Sequence, residues 1–525
     1  MSSTFAGFTA AQLGLRASQQ GLNITGQNIS NINTGGYTRQ VLDQISLNLS
    51  NCDRYSASEA TIGYGTLVTD ISQIRDPYLD IRFRNEAADV GNADEMYSTL
   101  QELESALDES KTDGIQAQLS DLSSMLQKLS GSVDSGKYAS SVKSSAESLT
   151  KFFNQYANSL KTTRNDLENN LTKVDVPDIN EILENITELN KTIKSGQING
   201  DDALELMDQR NMLIDNLSSY VKIDVQYIPE KISDSLSVDN LKIDLVGNNN
   251  TINLVNGNDH NTFKIPDGTT KLNVVDSNGD PIKDLSGNDI GTDIYDELSS
   301  GSIKGSLEML NCSGVFDSDD NSTRGIGYYE KMLDLLASKF AKTFNDLNNS
   351  TLPAGTPDAD LHNLFSTSDG STTITAANIT LASGWSKDDY GLTTTTSTDP
   401  DSSGANDVIM KMINALKDDQ SFVYSPDSNP SNDKTVFTGS FTEFYSTLNT
   451  TLGIDAKSTK QTLQSHVAVA NNISDKKDSI SGVSLDDECV NLMKYQKSYS
   501  AAARLMTTLD EAMDTLINKM GVVGR

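Results

Sequence analysis

The side chains able to do chemistry are few in this chain and lie far apart. Its three histidines, His260, His362 and His466, stand singly in the sequence. Histidine is the commonest general acid–base, so a catalytic cluster has little to be built from. No His-Glu-x-x-His zinc pair, phosphate loop or Gly-x-Ser-x-Gly elbow occurs. Asp317-Ser318-Asp319-Asp320-Asn321 opens like a calcium loop. Ser322 then replaces the glycine that such a loop needs, and Tyr328 stands where the bidentate glutamate belongs. Asp276-Ser277-Asn278-Gly279-Asp280 reads as a hairpin turn rather than a metal loop. Cys52, Cys312 and Cys489 have neither the number of a disulfide framework nor zinc-ligand spacing. Asn23-Ile24-Thr25 and Asn28-Ile29-Ser30 match glycosylation acceptors, but both fall on an apparent helix and are read as chance. The expectation is no catalytic residue, no cofactor and no metal.

What the chain has instead is a repeat at each end. Phe8, Leu15, Leu22 and Ile29 recur every seven residues, with Ala11, Ser18, Thr25 and Ile32 three further on. At the other end Leu492, Tyr499, Met506, Met513 and Met520 recur every seven, and Tyr495, Ala502, Leu509 and Leu516 fill the companion positions. Such a repeat puts one apolar stripe on a helix, and the stripe needs another helix against it. A lone helix of this kind is not stable in water. The ends therefore pair with each other or with the ends of other copies, which makes this an assembly protein.

Charge supports that division. The net charge is -32 over 525 residues, a poor match for nucleic acid. Residues 1–50 carry +1 and residues 484–525 carry -1, so residues 51–483 hold the entire -32. Near-neutral ends suit burial in an assembly, and an acidic middle suits a solvated exterior. No stretch is long and apolar enough to span a bilayer. The first eleven residues lack the basic start of a cleaved secretory signal; Arg16 is the first base.

Eight of the ten prolines lie between Pro229 and Pro430, so long helices belong to the flanks. Gly63–Ile71 reads as a short strand, and a helical pattern begins at Met96 and breaks at Gly114. A long seam runs from Val142 to Val174 and is expected to stop at Pro177. Helices follow around 179–195 and 201–220. From Val221 the period becomes two, giving a β-rich insert to about 325. A helix returns at Tyr328–Asn348. A polar second insert at 351–450 holds the only tryptophan, Trp385, and a helix near 404–417. A helix around 455–480 precedes a last one capped by Ser484, with Asp487 as its capping-box partner.

Asn28-Ile29-Ser30-Asn31-Ile32-Asn33-Thr34-Gly35-Gly36-Tyr37-Thr38-Arg39 resembles the N-terminal signature of the axial proteins of the bacterial flagellum, with Gly35 in place of the usual proline. Gly63–Ile71 followed by Arg75-Asp76-Pro77-Tyr78-Leu79-Asp80-Ile81-Arg82-Phe83-Arg84 resembles the second block shared by rod, hook and junction proteins. Asp208–Leu217 and Ser481–Glu488, leading into Leu492–Arg504, are similar to the hook–filament junction members.

The resemblance implies a multi-domain α+β protein. Residues 1–90 with 484–525 would form a terminal coiled-coil axial domain. Residues 91–220 with 327–350 and 451–483 would form a helical bundle, with a β-rich insert at 221–326 and a variable outer insert at 351–450. It implies an assembly interface of Leu15, Leu22, Ile29, Asn31, Asn33, Thr34, Gly36, Tyr37, Leu492, Tyr495, Tyr499, Ala502, Met506, Leu509, Met513 and Leu516. The terminal helices would be weakly held until the assembly orders them. Implied partners are further copies of the chain, the hook protein, the second junction protein, and an export chaperone on the C-terminal helix; nucleic acid and membrane are not among them. The site of action would be the extracellular flagellum, reached by export without signal cleavage. The rivals are the hook protein, and a secreted surface protein whose insert is adhesive or, with carboxylates such as Asp388 and Asp389 near Trp385, enzymatic.

Overall fold

The computed structural model describes residues 6–519 except 48–64, 108–113, 134, 234–236, 248–249, 285–286, 318–322, 354, 358–359, 398–404 and 427–432. Cys52, Gly63, Tyr64, Met520 and most of the calcium-like loop therefore lie outside the described residues.

The two ends meet within one chain. Helix α1 (Ala6–Ser30) packs along α12 (Leu485–Asp514). The pairing is antiparallel: Gly7 faces Leu509, Gly14 faces Ala502 and Gly21 faces Tyr495. The expectation of ends left unordered in the single chain is thus not what the fold shows. A strand hairpin, β1 (Gln40–Ser46) with β2 (Thr66–Gln73), lies on another side of α1, where Gly65 comes against the Ala10 backbone.

The helical body begins with α2 (Pro77–Leu107), nineteen residues before the helical pattern at Met96 becomes legible. Its first turns mix apolar and charged residues, and the burial of Asp80 and Arg84 among them is a tertiary matter. Helix α3 (Ile115–Ser130) starts behind Gly114, as the break in the pattern requires. Helix α4 (Gly136–Asn170) does not stop at Pro177. A π-helical turn, Leu171–Asp175, carries it into α5 (Val176–Ile198), with proline in the first turn. Proline has no N–H to place in the helical ladder, and the wider turn just before it lets the chain continue. Helix α6 (Leu204–Tyr220) completes this segment.

The period-two region forms an antiparallel meander of β3 (Ile223–Lys231), β4 (Ser237–Leu245), β5 (Ile252–Asn256) and β6 (Asp259–His260). Ile223, Val225 and Tyr227 pair with Leu245, Ile243 and Leu241. A second hairpin joins β7 (Thr262–Lys264) to β8 (Asn273–Val275). Asp276–Asp280 is indeed a turn, closed by the Asp276 N–H donating to the Asp280 carbonyl at 2.9 Å. The insert is not all β: α7 (Ser302–Asn311) lies within it and packs on α2.

Helix α8 (Ile326–Asn348) buries Met332, Leu336, Phe340 and Phe344 on one face. The polar segment that follows holds β9 (Phe365–Thr367), β10 (Ile379–Leu381), the single turn α9 (Ser383–Ser386), α10 (Asp407–Lys417), β11 (Gln420–Tyr424) and β12 (Lys434–Gly439). It is bound into the body rather than standing apart. Phe365 sits 5.0 Å from Phe340 between ring centres, and Trp385 meets Phe365 edge-on at 6.1 Å. The Asn345 amide donates to the Phe365 carbonyl and accepts from the Leu364 and Phe365 N–H groups. Helix α11 (Phe441–Ser481) then runs 41 residues back along α2. It starts fourteen residues before its expected start, at a complete capping box between Ser440 and Glu443. At α12 only the Ser484 arm forms, accepting from the Asp487 N–H.

Candidate assembly site

Three sequence blocks converge at one corner of the molecule: the Asn28–Arg39 turn, the Asp208–Asp215 face of α6, and the bend between α11 and α12. Asn28, 1 % exposed, ties the end of α1 to the start of β1. Its amide donates to the Gln40 carbonyl, and its oxygen accepts from the Gln40 N–H and the Tyr37 hydroxyl. That burial also removes Asn28 as a glycosylation acceptor. Burial first, then the carboxylates of Glu205, Asp208 and Glu488, push the Tyr37 hydroxyl well above its usual range, so it remains a donor.

The turn is anchored on both sides. The Thr38 N–H and hydroxyl both donate to the Asp208 carboxylate, at 2.9 and 2.7 Å. Burial raises the Asp208 carboxyl against these bonds and the neighbouring Arg75, which pull it down. The Arg39 N–H donates to the Ser481 carbonyl at 2.9 Å, while its guanidinium meets Glu488 at 2.8 Å. The Glu488 side chain is 2 % exposed and sits in the first turn of α12, where a negative charge complements the helix N-terminus.

Behind the turn, an alternating set of charges joins α2, α6 and α11. Arg75 pairs with Asp80 and approaches Asp208 at 3.8 Å. Arg84 meets Asp215 at 2.7 Å, and Lys477 reaches both Asp215 and Asp80. Arg39, Arg75, Arg84 and Lys477 thus stand against Asp80, Asp208, Asp215 and Glu488, so each buried charge has an opposite neighbour. Removing one member would strand its partner. The paired ends are fixed to the helical body at this corner.

Asn31, Asn33, Thr34, Gly36 and Tyr37 line an open polar cavity of about 620 Å³ here, together with Met212. Gly36 has φ +76, and a Cβ there would come within 2.5 Å of the Met212 sulfur; Gly35 has open space. The strict requirement is at Gly36, and the Gly35 departure loosens a turn that other bonds already fix.

Along the helix pair the companion row Ala11, Ser18 and Thr25 is buried, whereas the large residues of the repeat are not its core. Leu15, Leu22 and Ile29 are half-buried. The buried residues of α1 are Ala11, Ala17, Ser18, Gly21, Ile24, Thr25 and Asn28. Small residues let the helices come close: Tyr495 lies over Gly21, and the Ser18 hydroxyl donates to Ser498 at 3.0 Å. Leu492, Tyr495, Ala502, Met506, Leu509 and Met513 are half-buried, while Tyr499 and Leu516 are exposed. The glycine repeat at 7, 14 and 21 is present in the sequence, at the same seven-residue spacing, but an apolar search passes over it. Val490, Met493 and Leu505 of α12 remain 48–59 % exposed in the single chain.

Elsewhere, His466 is not isolated: its Nδ1 lies 2.7 Å from Glu86. Asp388 pairs with Lys143. Asp317, the first residue of the calcium-like loop, accepts from the Ser313 N–H. Cys312 is buried with its Sγ 3.2 Å from the Tyr295 hydroxyl, and Cys489 is exposed; neither forms a disulfide among the described residues. Among the described residues no helix is long and apolar enough to cross a membrane.

Long terminal helices paired with one another and latched to a helical body define a structural subunit of an axial assembly. The comparisons with known proteins identify which. Residues 100–362 match the family model "Flagellar hook-associated protein FlgK helical domain", and residues 478–519 match "Flagellar basal body rod FlgEFG protein C-terminal". Flagellar hook-associated protein 1 of Bacillus subtilis is 28 % identical over the whole of both chains, and that of Escherichia coli 23 % identical over 97 % of this chain and 98 % of its own. The solved structure of the flagellar hook junction protein FlgK from Burkholderia pseudomallei aligns at TM-score 0.41 and 19 % identity, over 55 % of this chain and 46 % of that one. The chain belongs to the flagellar hook-associated protein 1 family. It is a structural protein of the hook–filament junction, in a mostly helical multi-domain α+β fold, and the hook-protein alternative is not favoured.

Proposed function

We propose that this chain forms, with further copies of itself, a ring between the hook and the filament, and that the paired ends are its inner, axial wall. The observation that carries this is the outer face of α12. Val490, Met493 and Leu505 are exposed on a helix whose other side is already occupied by α1. Each large aliphatic side chain left in water forgoes about 1.5–3 kcal/mol that burial would contribute. Repeating the pair around an axis covers them with the neighbouring subunit, as a coiled-coil wall would.

In this reading the interface comprises the exposed side of α12 and the Asn31–Tyr37 turn, while the internal seam holds each pair together. The hook protein contacts the ring on one side and the second junction protein on the other. An export chaperone covers α12 beforehand, and the chain leaves the cell without signal cleavage. The role is mechanical and not enzymatic.

The test separates the two faces. Leu505→Asp places a charge on the exposed face and should leave the monomer's melting unchanged while cells make hooks without filaments. Leu509→Asp strikes the contact with Gly7 and should loosen the monomer itself. Normal filaments from Leu505→Asp would sink the reading.

A further inference from the structure

Independently of the ring, one side-chain cluster in the helical body has the make-up of a metal site. Glu86 and Asp89 stand three residues apart on α2 and so share a face. His466 faces them from α11. One ligand atom from each of the three lies within 4.8 Å of the other two. All three residues are half-buried; the Glu86 side chain is 18 % exposed and that of His466 32 %.

Charge balance distinguishes this cluster from an ordinary histidine–carboxylate contact. The Glu86–His466 bond at 2.7 Å accounts for two of the groups. The Asp89 carboxylate has no hydrogen-bond or ion-pair partner among the described residues, and it sits beside a second carboxylate. Like charges at this range repel. Among the described residues no lysine of α11 is ion-paired with the cluster: of the four, Lys477 meets Asp80 and Asp215, and Lys460 lies over the Tyr97 ring. A proton on His466 would neutralise one carboxylate at most, whereas a divalent cation neutralises both.

We propose that Glu86, Asp89 and His466 bind a divalent transition-metal ion of the zinc class, which clamps α2 to α11. One imidazole nitrogen and two carboxylate oxygens suit Zn²⁺, while Ca²⁺ and Mg²⁺ favour oxygen alone. Three protein ligands leave the fourth tetrahedral position to water on the exposed side. At metal–ligand distances of about 2.0–2.2 Å the donor atoms stand roughly 3.3 Å apart. The clamp would join residues 377 and 380 positions apart in the chain, stiffening the helix pair that runs nearest the latched corner.

The experiment uses the full chain, stripped with a chelator and titrated with Zn²⁺ by calorimetry and with Co²⁺ by visible absorption. One equivalent should bind, and Zn²⁺ should raise Tm. Asp89→Asn is isosteric and leaves the Glu86–His466 contact in place, so its metal-free circular dichroism should match the parent. Outer-shell changes at metal sites already cost about 10–100-fold, so losing a ligand should weaken binding at least tenfold. His466→Gln should do the same and abolish the rise in Tm, and Cys489→Ser should bind as the parent does. No binding by the parent, or binding and a Tm rise that survive both ligand variants, would overturn the proposal.

Discussion

Replacing Arg39 by methionine keeps the aliphatic stem and removes the charge that faces Glu488. The Glu488 carboxylate, 2 % exposed, would then have no cation beside it, and the Arg39 side chain is itself only 20 % exposed. Breaking a fully buried pair from one side costs about 3–5 kcal/mol. The partial exposure of Arg39 admits water, so about 2–3 kcal/mol is the reasonable figure. The loss falls on the bend from α11 into α12, because Arg39 also reaches Ser481 through its backbone, and that bond survives. Amide exchange of the first turns of α12 in the monomer is the direct assay. At tenfold per 1.4 kcal/mol, exchange there should accelerate about 30–150-fold, while α3 and α4 change little. Glu488→Gln on the Arg39→Met background should restore most of the protection, because the stranded charge is gone. Protection unchanged within about threefold in Arg39→Met, or a double variant no better than the single one, would refute the latch.

Other outcomes follow from the same geometry. Gly14→Ala should stabilise by about 0.5–1 kcal/mol, since its Cβ would stand 3.9 Å from Ala502 and alanine is the better helix former. Gly21→Ala should destabilise, because its Cβ would lie 2.5 Å from the Tyr495 ring; chemical denaturation compares the two. Gly36→Ala meets both a positive φ and the Met212 side chain and should lose about 1–3 kcal/mol. Gly35→Pro, in open space, should gain about 0.4–1 kcal/mol by restricting the unfolded chain. Glu95 has its carboxyl raised by burial, and then by Asp175, to about 7 from an ordinary 4.5. The folded state therefore binds the proton more tightly, so this contribution is complete below pH 4.5 and is lost as pH rises to about 7. Glu95→Gln should flatten that fall and make the variant more stable than the parent at pH 8 by about 2–3 kcal/mol, read from denaturant melts.

Much of the secondary structure was legible because its signals are local. The α3 start at Gly114, the β4 alternation at Leu241, Ile243 and Leu245, the turn at Asp276–Asp280 and the buried face of α8 each follow from neighbours within a few positions. The helix start at Phe441 did carry local signals, a capping box at Ser440 and Glu443 and apolar residues at 441, 444, 445 and 448, whereas the start at Pro77 mixes apolar and charged residues, and burial of Asp80 and Arg84 against distant segments is what the sequence does not record. Pro177 misled because a proline marks the end of a regular helix, and a π turn is not a regular one. The polarity of 351–450 suggested an exterior module, yet a few aromatics, Phe365, Trp385 and Phe422 among them, suffice to bind it to α8 and α11.

By itself the sequence determined that both ends are helices of seven-residue period, near-neutral, on an acidic and mostly helical body without a histidine-rich centre. Periodicity and composition are one-dimensional properties, and they survive in the chain before it folds. Only the tertiary structure decided which stripe of each helix is inside: on α1 the small residues Ala11, Ala17, Ser18 and Gly21 are buried while Leu15 and Leu22 stay half-buried, because small side chains let the two helices approach. It alone brought Arg39 to Glu488, Thr38 to Asp208 and His466 to Glu86, pairs separated by 449, 170 and 380 positions. Electrostatic pairing acts over a few ångströms of space and is blind to distance along the chain, so a single sequence does not record which charge will stand beside which.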